Sequence, residues 1–306
     1  MASLTLSELN IYPVKSAAGI SLNTSRLTLH GLQFDRRCMV VSEEGQFMTQ
    51  RRFPRMALIS IALTQNATGA LGSSDYHSPD YKLTLSAPAM PSISITIAQN
   101  GDESISKDSI TVEVWGDRTQ VISLGTEAQQ WLSQFLGTPC QLVYMPNTTR
   151  RPIDHGVLGP NQLVSFADAY PYLLISEASL AGLNEKLVQK QTDPVPMNRF
   201  RPNLVVRGCS EAHAEDQWKR IRIGEAVFSV SKPCARCSVP TIDQSTGTKG
   251  KGNEPIKTLS TYRSWDKAIW FGQNLVQENL VQESLVQGNI DQPYQLSIGD
   301  EIEVLA

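Results

Sequence analysis

The segment Lys232-Pro-Cys234-Ala-Arg236-Cys237-Ser-Val-Pro240-Thr-Ile-Asp243-Gln-Ser-Thr-Gly247 sets the strongest limits on how this chain folds. It follows an alternating run, Ala226-Val-Phe228-Ser-Val230-Ser, that reads as a strand. Pro233 and Pro240 bracket the thiol pair, remove backbone donors and oppose both a helix and a mid-sheet position. The two cysteines therefore belong on a stiff loop at a sheet edge. Lys232 and Arg236 beside them favour thiolate over thiol, and thiolate is the form that binds a metal or attacks.

Spacing narrows what such a pair does. Structural zinc needs four ligands, but Cys38, Cys140 and Cys209 stand alone and His30, His77, His155 and His213 are scattered. A thioredoxin-type dithiol needs its first cysteine to open a helix, and Ser238-Val-Pro240-Thr opens one poorly. On the residues alone, two ordinary half-buried cysteines and a functional thiol both remain open.

Most of the chain reads as short strands. Residues 4–63 need no helix: Leu4-Thr-Leu6 and Leu27-Thr-Leu29 alternate, 38–41 is a buried-type run, and 57–63 is a further strand. Strands are also expected at 81–85, 92–97, 110–115 and 141–145. One helix is expected over 127–136, where Ala128, Trp131, Leu132, Phe135 and Leu136 form a stripe, Thr126 and Gln129 make a capping pattern and Gly137 ends it. A second follows Ser176 as N-cap, with Ala181, Leu183, Leu187 and Val188 as its apolar face. The close of the chain, 295–305, reads as a hairpin about Gly299-Asp300 that echoes 221–228, a pattern suited to a closed or nearly closed barrel. Three tandem copies of a Leu-Val-Gln pentapeptide begin at Asn274, Asn279 and Ser284. A period of five matches neither helix nor strand, so they are expected to extend a surface loop.

With 306 residues, 41% hydrophobic and 19% charged, the chain is long enough for one large or two medium domains. A net charge of −3 carries no footprint for nucleic acid or an anionic membrane. The start lacks the pattern of a signal peptide, and five cysteines without framework spacing fit a reducing compartment, so a cytoplasmic protein is expected. Gln50-Arg51-Arg52-Phe-Pro-Arg55 gathers three cations, which suits either a local anion site or a solvated surface.

The cysteine segment resembles the signature of the MOSC family, the molybdenum cofactor sulfurase C-terminal domain. It is most similar to the branch holding the mitochondrial amidoxime reducing component and its bacterial relatives. The resemblance extends to Tyr12-Pro-Val-Lys15-Ser16, Asp35-Arg36, Asp168-Ala-Tyr-Pro171, Phe200-Arg201-Pro-Asn203 and Phe271-Gly-Gln-Asn274. It implies a mainly β fold with a few helices (α+β), a MOSC-type β-barrel at 123–306 preceded by a β-rich N-terminal domain at 1–122, with the boundary placed between 120 and 160. It also implies molybdenum–molybdopterin as cofactor, with Cys237 as the catalytic metal ligand, a soft thiolate suited to that metal. Lys15, Ser16 and Arg36 would hold the cofactor's phosphate, and Asp168, Arg201 and Asn203 would make further cofactor contacts. For Asp168, capping its own turn is an equally open role. At family level there is also an association with pyridoxal phosphate. The implied activity is reduction of N-hydroxylated compounds, such as amidoximes and N-hydroxylated bases, to amidines and amines. A non-catalytic carrier of the cofactor or of sulfur is the alternative. No Cys-x4-Cys-x2-Cys spacing occurs here, so a separate protein is expected to donate electrons.

Overall fold

Barrel closure organises the chain. A computed structural model describes residues 3–65, 81–97, 109–153, 162–278 and 294–305. Seven strands stand side by side in the order Ile302–Val304, Arg220–Ile223, Ala226–Ala235, Ala268–Gln277, Tyr172–Ser176, Leu204–Arg207 and Thr5–Ile11. The first and last meet: Leu6 N–H donates to Asp300 O at 2.9 Å, Gly299 N–H to Leu6 O at 2.8 Å, and Ile302 N–H to Leu4 O at 2.8 Å. That seam joins two edges that would otherwise expose unpaired backbone groups. One neighbouring pair, Tyr172–Ser176 with Leu204–Arg207, is parallel. Its crossover is the helix α2 (Glu177–Gln189), capped by Ser176 Oγ on the Ser179 N–H.

Both faces of these strands are apolar because both are covered. Leu6, Leu174, Leu204, Val206, Phe228, Leu275 and Ile302 pack together in one core. The alternate residues Ile175, Val205 and Phe271 pack instead with Leu183 and Leu187 of α2. Of the expected face of α2, Val188 is 57% exposed, so the stripe is narrower than its sequence suggests.

A second sheet joins Cys38–Ser42, Cys140–Tyr144, Asp117–Ser123 and Ser109–Val114, and a meander of Ser60–Gln65, Tyr81–Ser86 and Ile93–Ile97 lies beside it. The helix α1 (Thr126–Leu136) buries Ala128, Trp131, Leu132 and Phe135 in the core they share. Gly137 ends α1 in the left-handed conformation, but Gly125 is the N-cap, so the Thr126–Gln129 pattern lies one residue too late to cap it.

Pairing redraws several expected boundaries. Cys140–Tyr144 bonds to Cys38–Ser42, so the sheet of the N-terminal strands runs to residue 144, within the expected 120–160 window, while Thr5–Ile11 pairs with Leu204–Arg207 of the barrel. Residues 54–58 form a 3-10 turn rather than the start of a strand, since Pro54 at its head favours a turn. The closing segment is not a hairpin: Gln295–Ser297 pairs with Thr24–Thr28, and Ile302–Val304 with Arg220–Ile223. The first pentapeptide copy lies inside the strand Ala268–Gln277, with Leu275 and Val276 buried on its opposite faces, and not on a loop. The second and third copies fall outside the described residues. Among the described residues no helix is long and apolar enough to cross a membrane.

Gly272 shows how tightly the barrel strands meet. It has φ +80°, and a Cβ there would lie 2.6 Å from Ile175 Cγ1 and 2.8 Å from the Leu174 carbonyl oxygen. Gly272→Ala must strain both the backbone and this contact, and is expected to destabilise the protein by about 2–3 kcal/mol in urea unfolding. A loss below about 0.5 kcal/mol would mean that the strands can part without cost.

Candidate functional site

Two loops near the N-terminus are zipped into one platform. Lys15 N–H donates to Cys38 O at 2.8 Å, Cys38 N–H to Pro13 O at 2.9 Å, and Arg36 N–H to Tyr12 O at 2.9 Å. The buried Asp35 carboxylate ties them further: Oδ1 accepts from the Tyr12 N–H at 2.8 Å, and Oδ2 from Arg36 Nη1 at 2.6 Å. The Arg36 guanidinium also reaches across to the second half of the chain, Nη1 donating to Asn203 Oδ1 at 2.9 Å and Nη2 to Arg201 O at 3.1 Å. Asn203, itself buried, also accepts from the Leu173 N–H and donates to Asn10 O. Its amide thus spans three barrel strands and orients Arg36.

The Tyr12 ring lies between two guanidiniums, Arg36 at 4.3 Å and Arg201 at 4.1 Å from its centre. Burial lowers Arg201 to about 10, with Arg36 adding to the drop and Tyr12 opposing it, so the side chain remains a cation at neutral pH. Arg201 Nη1 donates to Ala17 O at 2.6 Å. Arg201 precedes the strand that begins at Leu204 and has φ +56°, so it and Asn203 do not share a strand face as their spacing suggests. Ser16 and Arg36 also adopt left-handed backbone, at +67° and +48°. Each such residue costs on the order of 1–3 kcal/mol, so the geometry here is held against local preference, as it is at turns elsewhere such as Ala89, Gln191 and Lys267.

Lys15 is buried, and its ammonium donates to Phe166 O at 2.7 Å and to the Asp168 carboxylate. Burial pulls the Lys15 ammonium below its ordinary value, against the opposing pull of Asp168. Burial also resists charge on Asp168, yet Lys15 and the Trp115 N–H hold the carboxyl well below the usual carboxylate range. Since 68% of the Asp168 side chain is exposed, water screens the pair, and it serves to place Lys15 more than to stabilise the fold. The bonds of Asp168 go to these two partners and not to its own turn.

The cysteine segment enters the same space. Cys234 ends the strand Ala226–Ala235 and Cys237 lies just beyond it. Pro233 is tolerated there because pairing with Arg220–Ile223 stops at Ser229, leaving the stretch as an edge against Ala268–Gln277 alone, with bulges on both sides. Further on, Asp243 accepts from the Ser245 and Thr246 N–H groups and pairs with Arg199 at 3.1 Å, which fixes the loop's return. The Arg236 side chain donates to Cys234 Sγ at 3.1 Å and Phe200 O at 2.7 Å, while the Lys232 ammonium lies 5.2 Å from the centre of the Tyr170 ring. The cations flanking the pair therefore do not sit on Cys237, which is exposed with no hydrogen-bond partner among the described residues.

One cavity, between the N-terminal platform and the barrel end, is lined by every site residue expected from sequence: Lys15, Ser16, Arg36, Asp168, Arg201, Asn203 and Cys237. Arg51 and Arg236 line it too, so five cations face a single carboxylate, Asp168, in a protein of net charge −3. Of the three-arginine knot only Arg51 comes here, since the Arg55 guanidinium lies over the Phe135 ring and that of Arg52 over Phe53. Such a cavity suits an anionic ligand with a soft metal near an exposed thiol. Among the described residues no cluster of His, Cys, Asp and Glu could hold a metal by itself.

A model described as the MOSC N-terminal beta barrel domain matches residues 3–139, and one described as the MOSC domain matches 161–303. Mouse mitochondrial amidoxime-reducing component 1 is 33% identical over 272 residues, covering 86% of this chain and 72% of that protein. The chain belongs to the MOSC family. Human mitochondrial amidoxime-reducing component 1 is 30% identical over 317 residues, covering 98% of this chain and 83% of its own. Rice molybdenum cofactor sulfurase is 32% identical over 283 residues, covering 89% of this chain but 32% of the sulfurase, so the chain spans about a third of that relative.

One residue of this MOSC site escapes a reading by motif. Trp115 looks in the sequence like the end of a strand, but it sits at the tip of a hairpin, with its indole N–H on Asp168 at 3.2 Å. Only the Gly116 that follows it signals a turn. The Asp35 carboxylate is the test of how the site is held: Asp35→Asn leaves Arg36 without its buried counter-charge and is expected to cost about 3 kcal/mol of stability in chemical unfolding. A cost below about 1 kcal/mol would show that the backbone zipper alone holds the platform.

Proposed function

We propose that this protein is a molybdenum-cofactor-dependent reductase of N-hydroxylated compounds. The observation that carries the reading is the convergence of five cations on one cavity that also receives the exposed Cys237. The donor set fits the cofactor: an unpaired soft thiol for the metal, and ammonium, guanidinium and hydroxyl groups for a phosphate. The buried Arg236 Nε has no hydrogen-bond partner among the described residues, a spare donor beside the same cavity.

In this reading Cys237 is the metal ligand, and Lys15, Ser16, Arg36 and Arg201 hold the phosphate and pterin. Asn203 acts through Arg36, which it orients, and Asp168 sets the position of Lys15. When bound, the molybdenum–molybdopterin centre supplies two-electron oxygen-atom transfer. Reduction of an amidoxime to an amidine consumes two electrons and two protons and releases water. Electrons come from a separate donor protein, and the setting is the reducing cytoplasm, in keeping with five free cysteines. The cavity cations keep the anionic centre charged and in place, while the Pro233–Pro240 bracket holds the thiol with little freedom to swing.

The alternative, a non-catalytic carrier of the cofactor or of sulfur, draws on the similarity to molybdenum cofactor sulfurase. A protein that retained molybdenum but reduced neither benzamidoxime nor an N-hydroxylated base with a chemical donor would favour it.

Two substitutions separate the thiols. Cys237→Ala is expected to abolish reduction and lower molybdenum content measured by mass spectrometry, in protein made in a host that synthesises the cofactor. Cys234→Ala, which loses the Arg236 contact and a long bond to the Ala235 carbonyl, is expected to keep most of both. Equal loss from the two would point to a dithiol mechanism. Arg201→Gln removes one charge-assisted contact, and cofactor affinity is expected to fall by about ten- to hundredfold.

A further inference from the structure

The hairpin Ser109–Val114 to Asp117–Ser123 turns through two residues, Trp115 and Gly116. Both have positive φ, +55° and +93°, the pattern of a type I′ turn. The first position of such a turn favours Asn, Asp or Gly, and a bulky aromatic there is strained. Trp115 is also 47% exposed, an unusual place for the largest apolar side chain. Left-handed residues also occur at turns away from the cavity, such as Ala89, Gln191 and Lys267, so strain alone marks no site, but neither turn formation nor core packing explains a tryptophan here.

Its neighbours identify that site. The indole N–H donates to Asp168 Oδ1 at 3.2 Å, the Arg51 guanidinium lies 5.0 Å from the ring centre, and Phe47 packs against it at 4.9 Å and 52°. Lys15 Nζ lies 5.7 Å from the Phe47 ring centre, so the aromatic pair adjoins the buried ammonium. Lys15, Arg51 and Asp168 all line the Cys237 cavity. The indole is thus held at the outer rim of the cavity, touching its lining residues Arg51 and Asp168 without being one of them, with nearly half of the residue open.

We infer that Trp115 is a specificity-determining residue: its ring is a wall against which the flat aromatic or heteroaromatic body of a substrate stacks. This rests on the reductase reading above and adds to it a preference for planar over aliphatic N-hydroxylated compounds. Arg51 and Asp168 set the plane of the ring, one through its cation and the other through the indole N–H.

The test uses Trp115→Asn, because asparagine suits the left-handed position and the variant is expected to fold, with a thermal midpoint within about 2 °C of the parent. Cofactor-loaded protein, without reductant, is titrated by calorimetry with benzamidoxime and with acetamidoxime, which carry the same head on a planar and an aliphatic body. The parent is expected to bind benzamidoxime about five- to tenfold more tightly, the worth of one aromatic contact, and Trp115→Asn to lose that preference by weakening benzamidoxime alone. Trp115→Phe is expected to keep most of it. Equal affinities in the parent, or a preference unchanged in Trp115→Asn, would overturn the inference. Equal weakening of both compounds would reduce Trp115 to a prop for Asp168, and loss of molybdenum from Trp115→Asn would make it a cofactor wall; either overturns it. A normal binding preference without turnover of either compound, once a chemical reductant is added, would sink the reductase reading and leave the stacking wall standing.

Discussion

Asp35 is the point on which the site depends. Its buried carboxylate accepts from the backbone of Tyr12 and from the guanidinium of Arg36, and Arg36 then reaches Asn203 and the backbone of Arg201. A buried carboxylate is costly unless its oxygens are bonded, and here both oxygens are. The consequence is a short chain of charge-assisted bonds running from the N-terminal loops to the barrel. It fixes where the two halves meet and thereby where the cavity lies.

The barrel provides the other half of that rigidity. Its closing strand comes from the far end of the chain and bonds to the first strand, so the termini are brought together on the same seam. Helix α2 makes the one parallel crossover and covers the outer apolar residues. The cysteine-bearing strand leaves the barrel where its partner stops, which frees Cys234 and Cys237 to face the N-terminal platform while the bonded part of the strand keeps them in register.

Positive charge is concentrated in one place. The protein is slightly acidic as a whole, but five cations and three left-handed non-glycine residues surround one cavity. Bringing these charges together costs desolvation, visible in the lowered values of Lys15 and Arg201, and the protein meets it with backbone carbonyls, the Tyr12 ring and one screened carboxylate. An anionic ligand would complete that compensation.

The sequence by itself determined most local elements and picked out residues that the fold gathers around one cavity. Alternating runs mark strands because side chains alternate faces, the 126–136 stripe marks a helix because its period is 3.6, and the Pro-Cys-x-Arg-Cys segment stands out by its chemistry. Partner choice was decided only in three dimensions. Residues 295–305 look like a hairpin, yet pairing with partners about 270 and about 80 residues away places their two strands in different sheets, because burying the barrel core outweighs the local turn. The Leu-Val pair at 275–276 reads as loop by its period of five, but a strand covered on both faces buries both residues. Which cation serves which thiol, and the turn that carries Trp115 to the rim, depend on backbone angles and long-range contacts that no spacing encodes.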